Sequence, residues 1–229
     1  MIKTLRNITR PLHGTDSDMA TTPTGCSAFL IDGSTHYRKH SIPAGTKIFN
    51  KPPCNVLSTV SNKIRAIRAS TAKVISRFMD EHSMSGRQMW AWLKHRHEEF
   101  RRPGEPVLDK NDDVIESTEN NSPLYPNMYN RMWGGIPFIY SFGDSHQLPP
   151  VSMKPFFSKD AGKHCSSCSA GKMAYNKFIH PNADETKNTV FILDDVIRQD
   201  KESQAPLLNA LDHMRKGDVS REDAKLLFS

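Results

Sequence analysis

The chain has little of what would place it in a membrane, a secreted scaffold or a metal-built fold. No apolar run approaches the roughly 20 residues that a membrane-spanning helix needs, so no membrane partner is expected. Cysteine is scarce, with four in 229 residues, too few for a disulfide framework in a chain this long. Cys165-Ser-Ser-Cys168 has zinc-knuckle spacing and His164 sits beside it. No second CxxC or HxxxH answers that pair, so an ordinary loop is expected there rather than a zinc site. Met1–Arg10 carries Lys3, Arg6 and Arg10 but no apolar signal core, which argues against secretion. Aromatics make up 8% and hydrophobic residues 37%, and the mean hydropathy of −0.59 describes a polar chain. The net charge is +6. A basic excess of that size suits a nucleic-acid partner without requiring one. The length allows one large domain or two small ones.

What the chain does have is Gly134–Val151, GGIPFIYSFGDSHQLPPV. Ile136–Phe142 is apolar and uncharged, preceded by two glycines and followed by Gly143-Asp144, which predicts a fully buried strand bounded by turns. Such strands belong to parallel sheets covered on both faces by helices. Chemistry in those sheets sits beyond the carboxyl ends of the strands, where Asp144, Ser145, His146 and Gln147 fall. Val74–Met79 predicts a second strand, with Ser76 and Arg77 awkward inside it. It runs into Asp80-Glu81-His82-Ser83-Met84. Paired carboxylates after a strand have a use in nucleotide hydrolases: one holds Mg²⁺, mostly through water, and the other polarises the attacking water.

The remaining elements follow from periodicity and punctuation. Met1–Arg10 has Ile2, Leu5 and Ile8 at helical spacing, ended by Pro11 and Gly14. Met19–His36 reads as a short strand, a Thr-Pro-Thr-Gly turn and a small-residue helix. Ser41–Ser70 is expected to be irregular with one short helix. Ser85 and Gln88 have capping-box spacing before a helix with Met89, Trp92, Leu93 and Phe100 on its apolar side and Lys94, Arg96 and Glu98 on the other. Arg101–Asn130 reads as a loop insertion. A helix is expected over Lys172–Phe178, a strand over Val190–Leu193, and a helix over Pro206–Arg215 stopped by Gly217. Ser220 with Asp223 caps a last helix.

Taken together, these stretches resemble the PIF-type and RecD-like DNA helicases of superfamily 1, which include helicases carried by Helitron transposons. Gly134-Gly135, Gly143-Asp144 and Gln147-Leu148-Pro149-Pro150-Val151 look like their motif III, and Asp-Glu-x-Ser-Met at 80–84 looks like motif II. Thr24-Gly25 with the Gly33-x-Thr35 pair is similar to motif Ia, although His36-Tyr37 stand where an Ile-His is usual. The resemblance implies an α/β fold, a three-layer RecA-like P-loop NTPase domain with a mostly parallel sheet, incomplete at its N-terminus, with residues 1–229 as part of the first motor domain. It implies ATP and Mg²⁺ as cofactors, Asp80 on the metal, Glu81 on the water, and Gln147 and Arg198 on the γ-phosphate. It implies DNA, single-stranded or forked, as partner, with Thr24, Gly25 and Thr35 as contacts. A monomer, nuclear or mitochondrial placement, 5′-to-3′ movement and a role in genome maintenance are implied in the same way.

One part of that pattern is missing. No GxxxxGK[ST] occurs in the sequence, so the loop that cradles phosphates is not there. Met1-Ile2-Lys3-Thr4-Leu5-Arg6 is similar to the helix that follows that loop, as if the chain started just past it. Motifs V and VI of a second motor domain are not expected within 229 residues. Two readings follow: a helicase fragment inactive on its own, or a non-catalytic remnant or basic nucleic-acid-binding domain.

Overall fold

The computed structural model describes residues 1–43, 53, 62–100, 107–108, 114–116, 132–144, 147–159, 166–179, 190–193 and 202–228. These fall into two compact units, Met1–Thr186 and Lys187–Ser229.

The first unit is built on a four-stranded sheet in the order β2-β1-β3-β6, in which every pair is parallel. The strands are β1 (Asp18–Thr22), β2 (Ser34–Thr35), β3 (Ser76–Met79) and β6 (Phe138–Ser141). Around them lie helices α1 (Ile2–His13), α2 (Gly25–Leu30), α3 (His36–Lys39), α4 (Asn62–Ala72), α5 (Arg87–Phe100) and α6 (Ser166–Ile179). A separate antiparallel pair, β4 (Val107–Leu108) and β5 (Val114–Glu116), is all that is described of the expected insertion at 101–130.

Successive strand residues point to opposite faces, and the core divides accordingly. Ala20 and Phe78 pack with Ile2, Ile31, Leu5 and Tyr140 on the α1 side. Phe78 lies opposite Tyr140 in the ladder, and the two rings stack with centroids 5.1 Å apart. Met19, Val74, Ile136 and Ile139 pack on the other side, where Met79 joins Met89, Trp90, Trp92, Leu93, Trp133 and Ala174. Helix, sheet and helix therefore make three layers. On the α1 side, Arg6 donates to Asp18 at 2.9 Å and to the carbonyls of Ile31 and Asp32 at 2.6 and 2.7 Å. Arg10 also bonds Asp18.

On the opposite side α5 is covered almost all round. Trp90 and Trp92 are fully buried, each worth about 4–6 kcal/mol of transfer free energy as an upper estimate. Trp90 meets Trp133, Phe156 and Tyr175 edge to face. Helix α6 crosses so close that a Cβ on Gly171 would lie 1.7 Å from the Arg87 carbonyl oxygen, which only glycine permits.

Several expectations change in this setting. Ile136–Phe142 does not form a fully buried strand: β6 is shorter, pairs only with β3 among the described residues, and leaves Phe138 46% exposed. Val190–Leu193 forms no strand, and all four side chains are exposed. An apolar tetrapeptide becomes a strand only where a ladder partner receives it. Helix α1 runs through Pro11 to His13. The proline sits in the last turn, and the Arg6 and Arg10 anchors hold the helix in the turns before it. Arg96 is not on a polar face but buried in an ion pair with Glu99, its guanidinium 5.2 Å from the Trp92 ring. Arg77 is fully buried in β3 with its guanidinium 5.4 Å from the Trp133 ring centroid. Burial pushes its pKa down to about 9. Cys168 is buried within α6 rather than in a loop; Cys165 lies outside the described residues. The expected helix at 172–178 extends over all of α6. The irregular Ser41–Ser70 segment is described at 41–43, at Pro53, and from Asn62, where α4 begins.

The second unit contains α7 (Ala205–Lys216) and α8 (Arg221–Phe228). Gly217 ends α7 at φ 77°, a left-handed cap that a glycine adopts freely.

Candidate functional site at the carboxyl edge of the sheet

Parallel strands put all their carboxyl ends on one edge, and four connections leave this sheet there. After β3 the ladder continues one step, with the Asp80 N–H donating to the Thr21 carbonyl at 2.9 Å. Glu81 then turns sharply, at φ 49° and ψ 43°. A left-handed backbone is uncommon for a side chain of this size and collects at functional turns. The turn carries the Glu81 carboxylate toward the exit of β1, where Oε2 lies 3.5 Å from Thr22 Oγ1 and 3.4 Å from Thr24 Oγ1.

The connection after β6 is stitched to the same loop. Phe142 N–H donates to the Met79 carbonyl at 2.7 Å, and His82 N–H donates to the Phe142 carbonyl at 2.9 Å. Gly143 follows, and a Cβ there would meet His82 Nδ1 at 2.5 Å and His82 N at 3.0 Å. The Gly-Asp dipeptide is thus a close-approach site against the acidic loop. Burial lowers the pKa of His82, opposed by the Phe142 carbonyl and the Asp80 carboxylate. Gln147 closes a turn on the Asp144 carbonyl at 3.1 Å and is exposed. Ser145 and His146 lie outside the described residues.

Beyond Gln147 the chain returns to the start of α5. Arg87 N–H donates to the Lys154 carbonyl at 2.9 Å, and Lys154 N–H donates to Gln88 Oε1 at 3.0 Å. Arg87 Nη2 donates to the carbonyls of Phe156 and Ser158 at 2.9 and 2.6 Å. The loop carrying Gln147 is therefore held at both ends by the segment that carries Asp80 and Glu81. This clamp replaces the capping box expected of Ser85 and Gln88. Ser85 is engaged instead with His36 Nε2 at 3.1 Å. No sequence signal exposes either pairing, because the partners are 49 and 66 residues away.

The three residues implied as DNA contacts also leave this edge. Thr24 is the N-cap of α2 and accepts from Ser27 N–H at 3.3 Å. Gly25 is exposed at the first helical position. Thr35 ends β2 and caps α3, accepting from Arg38 N–H at 3.2 Å. Arg198 lies outside the described residues.

Among the described residues no group of three or more His, Cys, Asp or Glu could hold a metal ion. Asp80 offers a single carboxylate, which matches the way Mg²⁺ binds when phosphates and water supply the remaining ligands. Asp80 and Glu81 fit that group; nothing in the sequence supplies the glycine-rich cradle for the phosphates themselves.

The all-parallel sheet, with an acidic pair after one strand and a Gly-Asp loop after its neighbour, has a RecA-like α/β fold. Solved structures of similar fold include Pif1 helicases. The Candida albicans protein superposes with a TM-score of 0.55 at 17% identity, covering 98% of this chain and 39% of that one. A Bacteroides Pif1 bound to single-stranded DNA gives 0.55 at 16% identity over 99% of this chain and 42% of that one. A Bacteroides Pif1 with ADP-AlF3 and single-stranded DNA gives 0.50 at 18% identity, over 93% and 39% respectively. The chain thus spans about two-fifths of the length of these helicases, and at such identities the likeness is one of fold. No family model matches the sequence, and no curated protein matches it. Among the described residues no helix is long and apolar enough to cross a membrane.

Proposed function

We propose that residues 1–229 are part of the first motor domain of an ATP-dependent DNA helicase. The observation that carries the reading is the joining of the acidic loop to the Gly-Asp loop by His82 N–H and the Phe142 carbonyl, at the carboxyl edge of a parallel sheet. In this reading Asp80 would ligate Mg²⁺, and Glu81 would take a proton from the attacking water. Gln147 and Arg198 would act on the γ-phosphate, an arginine being suited by its fixed charge and planar fork. Mg²⁺ with ATP would neutralise developing phosphoryl charge. Thr24, Gly25 and Thr35 would contact the backbone of single-stranded or forked DNA. The capture of Pif1 helicases with ADP-AlF3 and with single-stranded DNA supports both ligands. Monomeric action, 5′-to-3′ movement, and nuclear or mitochondrial work in genome maintenance belong to the same proposal.

A second reading, a basic DNA-binding domain without hydrolysis, is favoured by one observation, the lack of a phosphate cradle in the sequence. Phosphoryl transfer depends almost wholly on positioning and charge, so residues 1–229 alone are expected to show no DNA-stimulated ATP hydrolysis. The deciding experiment begins with the genomic sequence upstream of Met1. An in-frame GxGGTGK[ST] there, and DNA-stimulated phosphate release from the extended two-domain product that is abolished by Glu81→Gln while ATP still binds, supports the helicase. Stop codons or unrelated sequence upstream support the non-catalytic reading. Hydrolysis that survives Glu81→Gln removes Glu81 from its role.

A further inference from the structure

The left-handed turn at Glu81 points its carboxylate back toward β1, and what receives it there is a pair of threonine hydroxyls. Thr22 is the last residue of β1 and is fully buried. Its Oγ1 lies 3.5 Å from Glu81 Oε2. Thr24, half-buried at the head of α2, lies 3.4 Å from the same oxygen. A carboxylate only accepts, so a bond across either contact needs the hydroxyl to donate, and the single Thr24 proton has a second, nearer acceptor in Ser27 Oγ at 2.8 Å.

Thr24 can do this without leaving its cap. Its oxygen accepts Ser27 N–H at 3.3 Å and lies 2.8 Å from Ser27 Oγ. When the serine hydroxyl donates across that short contact, the Thr24 proton is free for Glu81. At 3.5 and 3.4 Å both contacts to Glu81 are longer than the roughly 2.5–3.0 Å of an ordinary O–H···O bond, which makes a weak grip that competition can loosen. The two donors differ in access. Thr22 is closed to solvent, whereas Thr24 is followed by exposed Gly25 and Cys26. An outside acceptor can reach only Thr24.

We propose that Thr22 and Thr24 are positioning residues that hold the Glu81 carboxylate turned toward β1 in the free protein, and that a single-stranded DNA phosphate releases it by taking the Thr24 hydroxyl. A phosphate oxygen is a charged acceptor and competes well for that proton. One of the two donors is then lost, and the carboxylate is free to swing toward the water beside a nucleotide. The side chain that senses DNA is in direct contact with the one that would do the chemistry. This rests on the reading of Glu81 as the base and Thr24 as a DNA contact.

The experiment uses the 229-residue chain with ¹³C-labelled glutamate. The Glu81 carboxyl resonance is assigned by its loss in Glu81→Gln. It is then followed with and without saturating oligo(dT) in low salt. Thr22→Val and Thr24→Val are each expected to move the free-state resonance, and Thr24→Ser to leave it in place. Oligo(dT) should move it in the wild type and in Thr24→Ser, but not in Thr24→Val, which should bind no more than about tenfold more weakly, the worth of one hydrogen bond. Thr22→Val is isosteric and leaves the helix cap intact, so it stands in if Thr24→Val unfolds α2. A free-state resonance unchanged in both valine variants overturns the restraint, with or without DNA binding. DNA that binds and leaves Glu81 unmoved overturns the release alone. A wild-type chain that fails to bind oligo(dT) sinks the DNA reading itself and the release with it, while the free-state comparison still decides the restraint.

Discussion

Replacing Gly143 by alanine tests whether the acidic loop and the Gly-Asp loop are packed as one unit. The added methyl would sit 2.5 Å from His82 Nδ1 and 3.0 Å from His82 N, about 1 Å inside ordinary van der Waals contact for the ring atom. The imidazole can rotate away in part. The backbone nitrogen cannot, because it donates to the Phe142 carbonyl at 2.9 Å. Overpacking of this kind costs about 1–3 kcal/mol. Urea unfolding followed by tryptophan fluorescence reads it cleanly, since all three tryptophans, Trp90, Trp92 and Trp133, lie buried in the first unit. With an m-value of about 2 kcal/mol/M, the midpoint should fall by about 0.5–1.5 M. In a His82→Ala background the ring clash is gone, and only the cost of the backbone contact should remain. A double-mutant cycle should therefore return a coupling of at least about 0.5 kcal/mol. A neutral Gly143→Ala, or one equally costly with and without the His82 ring, refutes the packing argument.

Other perturbations follow from the same geometry. Asp18→Ala strips the shared partner from Arg6 and Arg10 beneath α1 and should cost about 3–5 kcal/mol in the same unfolding assay. Trp90→Ala should cost about 3–5 kcal/mol, because its ring is the hub of the aromatic cluster around Trp133, Phe156 and Tyr175. His36 and His40 have their pKa values pushed well below 6.5 by burial and then by the Arg77 charge. Below about pH 6.5 the unfolded chain binds protons that the folded chain refuses, so stability is full above that value and falls as pH drops. The slope should approach about 1.4 kcal/mol per pH unit for each histidine, and His40→Phe should flatten it in a pH series of urea midpoints. Binding of the chain to oligo(dT) should weaken steadily as salt rises, because phosphate contacts release counterions. Affinity that holds constant from low to physiological salt would contradict that.

Local rules made the two helices of the second unit legible, though not Val190–Leu193. Gly217 had to end α7, because its position at φ 77° suits glycine and little else. Ser220 and Asp223 do form a capping box, with Ser220 N–H on Asp223 Oδ2 at 2.9 Å and Asp223 N–H on Ser220 Oγ at 3.0 Å. The same three-residue spacing at Ser85 and Gln88 misled, since His36 and Lys154 outcompeted the cap. Nothing local distinguishes the two cases. The parallel sheet was readable from Val74–Met79 and the Gly134–Val151 string, whereas the place of β6 at the side of β3, with one face part-exposed, depended on which strands were its neighbours.

The amino-acid order by itself determined the kind of chain this is: basic, α/β, with Asp80-Glu81 and Gly143-Asp144…Gln147 in sequence after two strands. Those signals survive because each is written in a few consecutive residues. Only the tertiary structure decided that Arg77 and Arg96 would be buried, that Arg87 and Gln88 would clamp the Gln147 loop, and that Glu81 would turn back onto Thr22 and Thr24. Those outcomes depend on partners dozens of residues away, and the fate of a polar side chain is settled by whichever of them the sheet brings within hydrogen-bonding reach.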